Sequence, residues 1–110
     1  MSKTIVQINF KYHMPQVEYK GMTEHAAQPI AEVEGLVWKI FLFNEATQEA
    51  GGHYLFENVA AAEAYLNGPL ITGLRQHPGI KNTSVKLFNI QESATEVTRG
   101  PVRIPVSLRS

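Results

Sequence analysis

Leu36 to Asn44 reads Leu-Val-Trp-Lys-Ile-Phe-Leu-Phe-Asn, a run whose two alternating faces are both apolar apart from Lys39. Successive side chains of a strand point to opposite sides, so a strand of this kind must be covered on both. The apolar stretch is far too short for a membrane span, which takes about 20 residues. The cover therefore has to come from a chain of 110 residues, 44% hydrophobic and 18% charged. That is one ordinary domain with a packed core, and disorder is not expected.

The neighbouring segments set what the domain can be. Thr4 to Tyr12 alternates, with Val6, Ile8, Phe10 and Tyr12 on one face and Gln7, Asn9 and Lys11 sharing the other with Ile5; this is a strand, ended by Pro15. Thr23-Glu24 predicts a helix start, with an apolar stripe running to a terminating Gly35 and Pro29 sitting awkwardly inside it. Gly52 to Phe56 predicts a strand pairing back on Leu36–Asn44 across a polar turn. Asn58 caps an Ala-rich helix over Val59–Leu66, and Pro69 opens a further short helix ending at His77-Pro78-Gly79. Thr83 to Ile90 alternates again, and from Glu92 the pattern is lost, leaving an extended arm or tail. The reading is a domain over 1–92 and an arm over 93–110.

The order β-α-β-β-α-β is the split βαβ arrangement: an α+β, ferredoxin-like fold, with an antiparallel sheet and helices on one face. Two helices cover one face of such a sheet, so the other face is expected to bury itself against a second copy of the chain. The expected homodimer face is the one bearing Lys39 and Phe41, with the arm lying along the partner through Pro101 and Pro105.

Several chemistries are excluded by composition. Ten Lys plus Arg balance ten acids, so the basic excess that a phosphate backbone requires is missing and no nucleic-acid partner is expected. There is no Cys, and every acid is Glu, with no Asp. Thiol nucleophiles, Cys-bound zinc and iron–sulfur clusters are thereby removed, as are EF-hand loops and aspartyl dyads. The four histidines, at 13, 25, 53 and 77, show no HxH or HxxxH spacing. Gly51-Gly52 opens no helix and is followed by no GK[ST], so it reads as a turn or bulge and not as a phosphate cradle. No resident metal, flavin or haem is expected. The opening MSKTIVQINF runs directly into a strand with no signal-peptide core, so a reducing cytoplasm is the expected compartment.

Gly35-Leu-Val-Trp38-Lys39-Ile, followed by Glu49-Ala-Gly51-Gly52-His53-Tyr54-Leu55-Phe56, resembles the YdhR-like mono-oxygenases. The likeness extends through Ala64-Tyr65-Leu66 and Val85-Lys86-Leu87-Phe88 and covers most of 3–92. It implies a dimeric α+β barrel with a small cavity in each subunit. The implied activity is cofactor-independent mono-oxygenation of a small aromatic, phenol- or quinol-like compound. A non-oxidative isomerase or cyclase, or a module that only binds a small molecule, remains an alternative on the same fold. Two departures stand out: the first helix looks shortened, and His53 occupies a place expected to be aliphatic.

The candidate catalytic residues are His53, Lys39 and His13. His13 lies at the end of the first strand, where an imidazole can serve as acid or base near neutral pH. Lys39 is an ammonium in an otherwise apolar strand, suited to hold a phenolate or superoxide unless a Glu pairs with it. Trp38, Tyr54, Asn9 and Phe41 are candidates to contact substrate, Trp38 as a stacking wall or as core. Alternation prevents Trp38 and Lys39 from sharing one space, and likewise His53 and Tyr54. The expectation is that Lys39 faces a cavity between paired sheets while Trp38 packs on the helices. His25 and His77 read as surface residues.

Overall fold

The computed structural model describes residues 3–103. Its elements are β1 (Thr4–Tyr12), α1 (Gln16–Ala31), β2 (Leu36–Asn44), β3 (Glu49–Phe56), α2 (Val59–Leu66), α3 (Pro69–Gln76), β4 (Ile80–Asn89) and α4 (Glu92–Val97). The strands form one four-stranded sheet in the order β2-β3-β1-β4, with every pairing antiparallel. This is the expected ferredoxin-like arrangement, the protomer fold of the dimeric α+β barrels. Among the described residues no helix is long and apolar enough to cross a membrane.

The core lies under the helices. Val6, Ile8, Phe10 and Tyr12 of β1 are buried there, with Tyr54 and Phe56 from β3, Ile30 from α1 and Ile71 from α3. The register places Val6 opposite Tyr54 and Ile8 opposite Gly52, so the even positions of β3 share the helix face.

α1 begins seven residues before the expected Thr23. Pro15 precedes its first turn, and its carbonyl accepts from the N–H groups of Glu18 and Tyr19. Thr23, expected as the cap, instead donates its hydroxyl to the Lys20 carbonyl 2.9 Å away within the helix. The stripe that packs the helix is Tyr19, Met22, Ala26, Ile30 and Val33, at helical spacing throughout. Counting from Thr23 hid its first two members, and with them the full length of a helix that looked shortened. Pro29 falls in the last turn, where it removes the N–H that would bond the His25 carbonyl, and the helix ends two residues later.

The segment expected as a patternless arm contains α4, and the chain after it folds back onto its own sheet. Val102 is buried, and the Trp38 indole N–H donates to the Pro101 carbonyl at 2.8 Å. Leu55, facing away from the helices, is fully buried although it lies outside the main core cluster. Through residue 103 the arm thus covers one end of its own open sheet face. Pro105 lies outside the described residues.

Candidate functional site

The register of β2 on β3 decides which side chains of the double-sided strand enter the core. Leu36 pairs with Phe56 and Trp38 with Leu55, the shift between them leaving Val37 as an extra residue. Past that bulge, Lys39 pairs with Tyr54 and Phe41 with Gly52, so both lie on the helix face. Trp38, Ile40 and Leu42 lie on the open face. The expected orientation is therefore reversed: Lys39 goes under the helices and Trp38 does not. Trp38 is held on the open side by its bond to Pro101.

A cavity of about 200 Å³ lies between sheet and helices, with Lys39, Phe41 and Tyr54 on its floor. Tyr19 and Met22 of α1 form one wall; Ile71, Leu74 and the adjoining His77 form another. The lining is overwhelmingly apolar. For scale, an engineered apolar cavity of ~150 Å³ holds a benzene ring, so this space suits one or two fused rings.

Glycines shape its floor. A Cβ on Gly52 would lie 2.7 Å from Cε of Lys39 and 2.8 Å from the Ile40 carbonyl oxygen. The missing side chain is the groove in which the lysine stem lies. Gly51 has φ 150°, and a Cβ there would strike the Ile8 carbonyl oxygen at 1.8 Å. The pair thus sits within β3, one glycine required by backbone approach and the other by Lys39; it is not a turn before the strand.

Lys39 has no ion pair and no hydrogen bond among the described residues. Its Nζ stands 3.8 Å from the centroid of the Phe41 ring and 4.5 Å from that of Tyr54. The expectation that a lysine under these helices would need a carboxylate failed because two aromatic faces take that place, their negative quadrupoles meeting the ammonium. Burial pulls the Lys39 pKa from 10.5 down to about 8. Near neutral pH the amine is a cation held close to the point of releasing its proton.

The tyrosines around it are kept neutral. The Tyr54 and Tyr65 hydroxyls share a hydrogen bond of 3.2 Å. Burial pushes the Tyr54 pKa up, the neighbouring Tyr65 adding to it; burial likewise raises Tyr65, against the hydrogen bond it shares with Tyr54, which lowers it. Tyr19 stacks on Tyr12 with ring centroids 4.3 Å apart, and burial followed by repulsion from Tyr12 raises it to about 12.

The structure separates the remaining candidates from this cavity. His53 points to the open sheet face, opposite Gln7 on one side and Ile40 on the other. Asn9 shares that face and accepts from Gln7 Nε2 at 3.0 Å. His13 is exposed in the turn after β1. His77, read from sequence as a surface residue, lines the cavity instead. Its position just after a helix whose apolar side faces the sheet was the available signal. Among the described residues no three His or Glu side chains converge as a metal-ligand group.

The family model described as "Putative mono-oxygenase ydhR" matches residues 5–101. No curated protein sequence matches the chain. Among solved structures, SnoaB, a cofactor-independent oxygenase from Streptomyces nogalater, is similar with a TM-score of 0.66 at 16% identity, over 84% of this chain and 96% of that one. NE2512, a protein of unknown function from Nitrosomonas europaea, gives 0.65 at 17% identity, over 83% and 91%. MhuD, a haem degrader from Mycobacterium tuberculosis solved with two haems in its active site, gives a TM-score of 0.60 at 21% identity, over 79% and 95%. At these identities the likeness is one of fold.

Proposed function

The chain belongs to the YdhR mono-oxygenase family, and on that footing we propose that it oxygenates a one- or two-ring phenol or quinol that supplies its own reducing electrons. The observation that carries this reading is an apolar cavity sized for such rings with one ammonium, Lys39, resting on aromatic faces inside it. SnoaB, described as a cofactor-independent oxygenase, supports the same chemistry on the same fold.

In this reading Lys39 receives the phenol oxygen. An amine with a pKa of about 8 is neutral often enough to accept the phenolic proton, and the resulting ammonium then holds the phenolate in a low-dielectric space. The electron-rich phenolate passes one electron to dioxygen. Superoxide recombines with the ring carbon opposite, forming a C–O bond, and loss of water leaves a carbonyl. The ring C–H and the phenolic O–H lose their hydrogens as O2 becomes the new carbonyl oxygen and H2O, so both hydrogens and the reducing electrons come from the substrate. Phe41 and Tyr54 flank the site as stacking and packing surfaces. The raised pKa values of Tyr54 and Tyr65 keep negative charge on the substrate and off the protein.

The open sheet face belongs to the same proposal. Ile40 and Phe88 are each about half exposed there, beside Leu42, and a second copy of the chain covers them. Trp38, His53 and Asn9 then serve the subunit interface, not the chemistry.

Oxygen uptake with a panel of naphthols, quinols and anthrone-type compounds tests the reaction, with ¹⁸O₂ labelling to follow the atom. One labelled oxygen in the product and one in water is the expected result. Tight phenol binding without oxygen uptake makes the protein a binding module and overturns the oxygenase reading.

A further inference from the structure

His77 closes α3 under tight backbone control. Its own N–H donates to the Leu74 carbonyl at 3.2 Å, and its carbonyl accepts from the Ile80 N–H at 3.1 Å. Its ring is fixed as well, because Nδ1 accepts from the Gly79 backbone N–H at 2.9 Å. An imidazole whose Nδ1 accepts carries the proton of its neutral form on Nε2. The same bond leaves neither ring nitrogen of that form with a free lone pair, so His77 is a donor here and not a metal ligand.

The other polar groups around the cavity narrow what this donor is for. The Tyr65 hydroxyl donates to the Tyr54 oxygen, and the Thr23 hydroxyl donates to Lys20. Lys39, His77 and the rotatable hydroxyls of Tyr19 and Tyr54 remain as donors among the lining groups. The Tyr19 hydroxyl turns freely about its C–O bond, whereas the backbone sets the proton position of His77. Lys39 rises from β2 and His77 stands at the end of α3, on different walls of one apolar space.

We propose that His77 is the second polar anchor of this cavity, donating Nε2–H to a second oxygen of a ring whose first oxygen is held by Lys39. The ligand is then a dioxygenated aromatic, a quinol or hydroxy-ketone, and not a simple phenol. The proposal rests on the phenol reading above and narrows it. A ligand with one oxygen leaves one of two half-buried donors unpaired inside an apolar cavity, and an unmade hydrogen bond there is where discrimination comes from.

Two measurements test it. Long-range ¹H–¹⁵N NMR at pH 8 without ligand reads the tautomer directly, and protonated Nε2 with unprotonated Nδ1 is expected. Anaerobic calorimetry then compares 2-naphthol with a set of dihydroxynaphthalenes. The best diol is expected to bind about three- to tenfold tighter than the naphthol. His77→Asn keeps an acceptor for the Gly79 N–H but removes the reaching donor; it should erase that preference, so that the best diol binds no tighter than the naphthol. His77→Gln, which retains a donor, should restore part of the preference, and Tyr19→Phe should leave it intact. An Nδ1–H tautomer, a preference that survives His77→Asn, or one that disappears in Tyr19→Phe overturns the assignment. Naphthol binding without any diol preference overturns it alone, whereas no binding of any phenol overturns the phenol reading with it.

Discussion

Replacing Lys39 by Met should stabilise the protein while abolishing its affinity for phenolates. The unbranched Met side chain follows the groove over Gly52 that the lysine stem occupies. What it removes is an ammonium whose pKa has been pulled from 10.5 to about 8 by burial. That displacement corresponds to roughly 3 kcal/mol of strain on the charged form at neutral pH. The Phe41 and Tyr54 faces return about 1 kcal/mol of it through cation–π attraction. The net gain expected for Lys39→Met at pH 7 is about 2 kcal/mol, or on the order of 8 °C in Tm for a chain of this size. The gain must depend on pH. Because the folded pKa lies below the unfolded one, the unfolded chain binds more protons between about pH 8 and 10.5, and wild-type stability rises across that window. The tyrosines act oppositely above about pH 10, since unfolding there lets Tyr19, Tyr54 and Tyr65 ionise. The clean range is therefore pH 7 to 9.5. Urea melts at matched protein concentration should show the two proteins converging across it. A Met variant less stable than wild type at pH 7, or a difference flat with pH, refutes the account of Lys39 as a desolvated, unpaired cation.

Gly51→Ala should cost more than about 3 kcal/mol, because a Cβ there meets the Ile8 carbonyl oxygen at 1.8 Å with φ at 150°; a wild-type Tm would contradict this. Gly21→Ala, in the middle of α1 with nothing within 4 Å of the added methyl, should raise stability by about 0.5–1 kcal/mol in the same melts. Trp38→Phe loses the indole bond to Pro101 and should cost about 1 kcal/mol while speeding proteolysis after Val97; an unchanged cleavage rate would show that the segment is held otherwise. Ile40→Glu places a charge in the open sheet face and should give a monomer by sedimentation, and a dimer of unaltered stability would place the interface elsewhere.

Most of the fold was legible because its signals are local. The alternation of β1, the Asn58 cap and Pro69 at the head of α3 each act within a few residues, and all stand where the sequence puts them, whereas the helix end expected at Gly35 falls at Ala31. The start of α1 was misread for a local reason too: Thr23 is a good cap, yet a threonine hydroxyl can equally bond back into a helix already formed. α4 was missed because six residues carry too little periodicity to register.

The site itself was only half written in the chain. A period of two establishes that Trp38 and Lys39 point in opposite directions, and it is symmetric as to which one points inward. That choice was made by the bulge at Val37, by the pairing of β2 with β3, and by Gly52 leaving space for a lysine stem beneath the helices. The partner of Lys39 was equally hidden, since rings of β2 and β3 meet over its ammonium only once the strands are in register. His77 became a cavity residue through the packing of α3 on the sheet. Sequence determined the order of the elements and the presence of one isolated cation in an apolar strand; tertiary structure determined its direction, because burial of a strand face is a property of paired strands and not of one.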